Sequence, residues 1–296
     1  MAKVAFLGLG VMGYPMAGHL LKKGGHDVTV YNRTAAKAQQ WAKEYGGRQV
    51  PSPREAARDC DFVMMCVGND DDVRSVACGS DGKDSGALAG MKRGAVLVDH
   101  TTASATVARE LHAKAREKGL GFVDAPVSGG QAGAVNGQLG IMCGGESADF
   151  ERAKPVMDAY AKMCALIGGA GAGQLTKMVN QLCIVGIAQG LAEALAFGKR
   201  NDLDLEKVIS VISKGAAQSW QLENRWKQMS ELKAEGFGFA IEWMRKDMSI
   251  CFDQARKSGA ALPVAALVDQ FYSRLEARGG KRWDSTAALI QLLLKD

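Results

Sequence analysis

The sequence lacks the residue spacings that build metal and disulfide sites. Its four histidines (His19, His26, His100, His112) are scattered over 296 residues without an H-E-x-x-H or a Cys/His knuckle, so no metal is expected. The seven cysteines, Cys60, Cys66, Cys78, Cys143, Cys164, Cys183 and Cys251, are odd in number and contain no C-x-x-C pair. Lying mostly in apolar segments, they read as reduced core residues. There is no block of five like charges: 37 basic and 32 acidic side chains give a formal +5 that is spread along the chain. That is a solvated mixed surface, giving no reason to expect nucleic acid, although a mild positive field favours anionic ligands. Apolar stretches are broken by Lys, Gln or Glu before the roughly 20 residues that a membrane span needs. Met1 to Gly8 runs straight into a strand with no charged n-region or cleavage site, so a cytoplasmic or similarly reducing location without membrane contact is expected.

What is present is a chain 47% hydrophobic, long enough for two domains. Lys3 to Gly8, Asp27 to Tyr31, Asp61 to Val67, Ala95 to Asp99 and Gly121 to Ala125 are short apolar runs of strand type. Stretches with helical spacing, Gly13 to Lys23 and Thr106 to Lys118 among them, alternate with the strands. The pattern predicts an α/β domain with a doubly wound parallel sheet, both faces covered by helices. Beyond about Gly173 strand signals fade, so the expected division is a Rossmann-type domain over 1–172 and an all-helical domain over 173–296, joined by a long helix from Gln174 to Gly198. Leu205 to Lys214 should end at Gly215 and Ile241 to Ser258 at Gly259, Pro263 suits a first helical turn, and Asp284 or Ser285 should cap a last helix through Leu294.

Gly8-Leu9-Gly10-Val11-Met12-Gly13 is a G-x-G-x-x-G between a predicted strand and a predicted helix, the context that marks a dinucleotide site. Gly8 permits the turn, Gly10 lets the main chain approach a pyrophosphate at the helix start, and Gly13 lets helix and strand pack closely. An NAD-specific site places an acid at the end of the second strand. Here Asn32-Arg33-Thr34 stands instead, with a guanidinium able to pair with a 2′-phosphate, so NADP is favoured and NAD remains possible. Lys37 is a weaker candidate. Val67-Gly68-Asn69 and Thr101-Thr102 fall at carboxyl ends of parallel strands, where ligands of such sheets collect. Asp70 to Asp72 reads as a capping and solvated cluster.

These motifs, with DHTTAS at Asp99 to Ser104, DAPVSGG at Asp124 to Gly130, Gly144-Gly145, GQLTKMVNQ at Gly173 to Gln181 and Lys246-Asp247-Met248, stand in the order found in the β-hydroxyacid dehydrogenases. The sequence resembles this family, which includes 3-hydroxyisobutyrate dehydrogenases and tartronate semialdehyde, succinic semialdehyde and glyoxylate reductases, almost from end to end. The resemblance implies hydride transfer between a nicotinamide and a small carboxylate substrate. It makes Lys177 the acid/base, gives substrate contacts to Ser128, Gly129 and Gly130, sets Thr102 and Lys246 by the nicotinamide, and has Asp247 support that end. It also implies a homodimer or homotetramer.

Read from the residues alone, Ser128 supplies one hydroxyl donor, and two glycines leave main-chain N–H groups open to an anion. Lys177, among Leu175, Met178, Val179 and Leu182, is either a snorkelling surface lysine or an ammonium that needs a partner, desolvated enough to exchange a proton near neutral pH. The family usually has asparagine where Gln181 stands, so the amides of Asn180 and Gln181 are both candidates to orient lysine or substrate, and Gln181 should reach further into a cleft. For Trp220 to Arg225 and Phe237 to Trp243 the resemblance implies substrate-lining or partner-facing loops, while the residues themselves read equally as helical core and surface. Two other readings stay open: an imine reductase, which usually lacks the lysine, and a non-enzymatic NADP-binding, redox-sensing module.

Overall fold

The computed structural model describes residues 1–80, 85–236 and 238–294. It divides into two compact units, Met1–Lys177 and Met178–Asp296.

In the first unit, strands and helices alternate in the order β1 (Lys3–Leu7), α1 (Gly13–Lys22), β2 (Asp27–Tyr31), α2 (Ala35–Tyr45), β3 (Arg48–Gln49), α3 (Pro53–Ala57), β4 (Phe62–Met65), α4 (Asp70–Cys78), α5 (Ala87–Gly90), β5 (Val96–Asp99), α6 (Ala105–Glu117) and β6 (Gly121–Asp124). There follow β7 (Val127–Ser128), α7 (Gly130–Val135), β8 (Leu139–Gly145), α8 (Ser147–Met157), β9 (Ala161–Gly168) and the start of α9 (Ala172–Arg200). The strands lie in the order β3-β2-β1-β4-β5-β6-β8-β7, with β9 also paired to β8.

The apolar runs are continuous because both faces of the sheet are buried. Side chains alternate between the faces. Val4, Phe6, Val28, Val30, Met64, Val96 and Val98 enter one core, while Ala5, Leu7, Val63, Met65, Leu97 and Phe122 enter the other. Trp41 of α2 is fully buried in the first and donates its indole N–H to the Tyr14 carbonyl of α1 at 3.1 Å. Helices between strands start where the sequence supplies acceptors: Asn69 Oδ1 takes the Asp72 N–H at the head of α4, and Ser104 Oγ the Val107 N–H at the head of α6.

The expected doubly wound parallel sheet is present, and an antiparallel strand is added to it. β1 to β6 are parallel, but β8 runs antiparallel to both β6 and β7. A parallel crossover needs a dozen or more residues. The short stretch between Ser128 and Leu139, holding only α7, can return the chain but cannot carry it over a face.

The second unit is helical: the remainder of α9, then α10 (Leu205–Ile212), α11 (Trp220–Ser230), α12 (Ile241–Ser258), α13 (Pro263–Ala277), a 3₁₀ turn over Gly280–Arg282 and α14 (Gln291–Leu294). Gly259 closes α12 in the left-handed conformation and Pro263 opens α13. WQLENR begins α11 and is no loop, with the Arg225 guanidinium 5.0 Å from the Trp220 ring centre. Phe237 lies outside the described residues; Ile241 to Trp243 form the first turn of α12.

The expected last helix is mostly replaced by turns. Asp284 Oδ1 does accept from Thr286 and Ala287 N–H, as a cap would, but its Oδ2 takes the Phe239 N–H, and residues 285–290 run as tight turns. Ala287, Ala288, Leu289 and Ile290 are all fully buried, so no outward face is left for an amphipathic helix to present. Cys183 also departs from expectation: it is exposed on α9, whereas Cys60, Cys143 and Cys251 are buried.

Candidate functional site

The fingerprint turn is built as its glycines require. Gly8 has φ +98°, and a Cβ there would lie 2.2 Å from the Cys66 carbonyl oxygen. A Cβ on Gly13 would lie 2.0 Å from the Gly8 oxygen, so helix and turn could not approach as they do. At Gly10 a Cβ would meet nothing within 4 Å: the space over this main chain is open. α1 begins at Gly13 with Met12 as its N-cap, no capping side chain and no acid in its first turn. Such a start accommodates an anion, and the cradle fits a dinucleotide pyrophosphate. A cleft of about 580 Å³ opens beside it, lined by Leu9, Gly10, Val11, Tyr14 and Lys37 among others.

Asn32 braces this turn. Its Oδ1 accepts the Leu9 N–H at 2.9 Å and its Nδ2 donates to the Thr34 carbonyl. Arg33 is exposed and pairs with Asp72 Oδ1 at 3.0 Å, while Thr34 is the N-cap of α2. The Val67 N–H donates to Thr101 Oγ1, and Asn69 caps α4 beside Gly68, where a Cβ would crowd the Asp72 carboxylate. Asp70 accepts from both the Ser104 N–H and hydroxyl, which ties the head of α4 to the end of the β5 loop.

Three buried groups that the sequence reading did not single out sit at the carboxyl ends of β5 and β6. Asp99 is fully buried; its Oδ1 accepts the Thr101 N–H at 3.0 Å, and its Oδ2 has no hydrogen-bond partner among the described residues. Burial pushes its carboxyl up to about 7. Asp124 accepts the Gly171 N–H at 2.7 Å and the Gln174 N–H at 2.9 Å, so it caps α9 from β6, yet burial still pushes it up to about 6. His100 faces the Ala125 carbonyl at 2.7 Å through Nδ1, and the Tyr160 hydroxyl at 2.8 Å through Nε2. Burial pushes it down to about 4, so the ring is neutral; Nδ1 donates to the carbonyl and Nε2 accepts from the phenol.

Ser128 ends β7, and Gly129 and Gly130 open α7 with φ of +126° and +60°. A Cβ on Gly130 would meet nothing within 4 Å, so glycine is required there by conformation and not by crowding. Thr102 is half-buried in the β5 loop, and Lys177, only 8% exposed, stands in the second turn of α9. The first unit therefore carries the fingerprint, the serine–glycine turn and the lysine.

In the second unit, Asn180 Nδ2 donates to Gln181 Oε1 at 2.9 Å, and Gln181 Nε2 donates to Asp247 Oδ2 at 2.7 Å. Lys246 Nζ lies 3.1 Å from the other Asp247 oxygen. The extra methylene of Gln181 thus spans to α12 and does not project into open space, for Gln181 is 2% exposed. Both ends of its amide are used.

Comparison with known proteins identifies the family. Residues 3–169 match the NAD binding domain of 6-phosphogluconate dehydrogenase, and residues 171–293 match the domain described as NAD-binding of NADP-dependent 3-hydroxyisobutyrate dehydrogenase. An uncharacterized oxidoreductase of Shewanella frigidimarina is 60% identical, covering 99% of this chain and 98% of its own. The NAD-dependent L-serine dehydrogenase of Pseudomonas aeruginosa is 32% identical over 94% of each. The structure of Mycobacterium tuberculosis 3-hydroxyisobutyrate dehydrogenase with L-serine superposes with a TM-score of 0.88 at 29% identity, covering 99% of both chains. The chain, with its glycine fingerprint on a 3-2-1-4-5-6 sheet and a helical second unit, thus belongs to the 3-hydroxyisobutyrate dehydrogenase family of NAD-binding oxidoreductases.

Proposed function

We propose that this protein is an NADP-preferring dehydrogenase or semialdehyde reductase acting on a small carboxylate, with Lys177 as the acid/base. The observation that carries the reading is the burial of Lys177, 8% exposed as a residue, in the unit that also holds the cofactor cradle. Lysine is almost never so buried without a partner or a task.

The residues that would hold the dinucleotide are Gly8 to Gly13 at the pyrophosphate, Arg33 and Thr34 at the 2′-phosphate, and Val67 to Asn69 with Thr102 towards the nicotinamide. When bound, the nicotinamide supplies or takes up the hydride. Ser128, Gly129 and Gly130 hold the substrate carboxylate. Lys177 Nζ gives a proton to the carbonyl oxygen during reduction and removes it from the hydroxyl during oxidation, as reversibility requires. Asn180, Gln181, Lys246 and Asp247 keep the supporting roles that the resemblance gives them.

A reducing, cytoplasmic location is part of the proposal, supported by seven free cysteines. So is self-association, supported by the exposed apolar stripe of Val179, Cys183, Ile187 and Phe197 along α9.

The test is NADPH or NADH consumption with glyoxylate, succinic semialdehyde and tartronate semialdehyde, and the reverse reaction with 3-hydroxyisobutyrate and L-serine. Turnover favouring NADPH is expected, and Lys177→Ala should lower kcat by about 10²-fold or more while NADPH binding stays within a few-fold. Near-normal turnover of that variant would remove Lys177 from the reaction. Tight cofactor binding with no turnover on the panel would favour the non-enzymatic reading.

A further inference from the structure

Gln174, in the first turn of α9, is 1% exposed, and its side-chain amide is bonded at both ends. Its Oε1 accepts the Ala103 N–H at 3.0 Å and its Nε2 donates to the Thr101 carbonyl at 2.7 Å. Accepting from one residue and donating to the residue two before it is how a neighbouring β-strand pairs, so the amide reads residues 101–103 as an added strand would. The Gln174 main-chain N–H is itself held by Asp124 Oδ2 at 2.9 Å. Thr101 in turn is fixed by Asp99 Oδ1 below it and by the Val67 N–H on its hydroxyl. One residue thereby joins the ends of β5 and β6 to the head of α9.

Two groups of the proposed reaction flank this joint. Thr102 lies between the two residues that Gln174 grips, and Lys177 follows Gln174 by three residues, about 4.5 Å along a rigid helix. We propose that Gln174 is a positioning residue for hydride transfer: it sets the lysine-bearing turn of α9 against the Thr101–Ala103 loop, so that proton donor and nicotinamide side keep one geometry. The inference rests on the function proposed above. A misplacement of about 1 Å in such a site costs on the order of 10²-fold in rate, whereas a bond that serves only folding would leave the turnover of the folded enzyme unchanged.

The test uses Gln174→Met, close in size but unable to pair with either partner, Gln174→Glu, and Lys177→Ala as control, each assayed with NADPH and the best substrate of the panel above. Gln174→Met should lower kcat about 10- to 100-fold, with KM for NADPH within about threefold, among molecules that circular dichroism shows to be folded. Glutamate keeps the acceptor for Ala103 but donates to Thr101 only when protonated. The kcat of Gln174→Glu relative to wild type should therefore climb as pH falls, a readout that remains if the methionine variant does not fold. Wild-type kcat in Gln174→Met, or a pH-independent ratio for Gln174→Glu, overturns the positioning role while Lys177→Ala stays inactive. An active Lys177→Ala overturns instead the reading on which it rests.

Discussion

On the proposed NADP preference, a 2′-phosphate would compete with Asp72 for the Arg33 guanidinium. The pair with Asp72 is exposed, and such pairs contribute about 0–1 kcal/mol. A 2′-phosphate offers a fuller charge and several acceptor oxygens, so it should displace the carboxylate. Arg33→Ala is expected to lower the ratio of kcat/KM for NADP(H) over NAD(H) by about 10- to 100-fold; an unchanged ratio would place the discrimination elsewhere. The buried carboxyls make a second prediction. Asp99, raised to about 7, stays protonated in the folded chain where the unfolded chain would release the proton. Its stabilising contribution is complete below pH ~4 and is lost as pH rises through about 7. His100, lowered to about 4, acts in the opposite sense: its contribution is complete above pH ~6.5 and lost as pH falls towards 4. Asp99→Asn removes the first effect only. Its urea midpoint should therefore fall less than that of wild type between pH 5 and 8, and parallel curves would mean that Asp99 is ionised throughout.

At the scale of elements, the junction of β6, β8 and α9 shows how a motif can be legible while its purpose is not. DAPVSGG and Gly144-Gly145 stand out in the sequence, but the acceptor Asp124 and its donors Gly171 and Gln174 are 47 and 50 residues apart. A Cβ on Gly144 would lie 2.6 Å from Asp124 Oδ1 and 2.7 Å from the Gly173 nitrogen. Gly144→Ala must therefore push the cap away from the helix head, leaving buried N–H groups at about 1–3 kcal/mol each. A fall in thermal midpoint is expected together with a fall in kcat; a variant with unaltered midpoint would show that the β8 end yields without cost. Gln181 teaches the converse. One more methylene than the family residue suggested reach towards a ligand, but Asp247 on α12 takes up the length.

For the whole molecule, the exposed stripe along α9 is the feature a lone chain would least retain. Val179, Cys183, Ile187 and Phe197 recur at helical spacing, and Phe197 is 69% exposed. Sedimentation or light scattering should give a dimer or tetramer, and the double variant Ile187→Glu, Phe197→Glu should shift it towards monomer by burying unpaired charge in the contact. A wild-type monomer would assign the stripe another purpose.

The sequence by itself determined what depends on neighbours in the chain. Apolar runs, the glycine fingerprint, the stop at Gly259 and the helix start at Pro263 are local, because period, φ and missing N–H groups act within a few residues. Only the tertiary structure decided what depends on distant partners. The loss of the last helix to buried turns, the inward brace of Asn32 and the grip of Gln174 on residues 101–103 are each set by a group 23 to 73 positions away or by burial on every side. Where a hydrogen-bond partner is chosen by folding, residue type announces the capacity to bond but not the bond that is made.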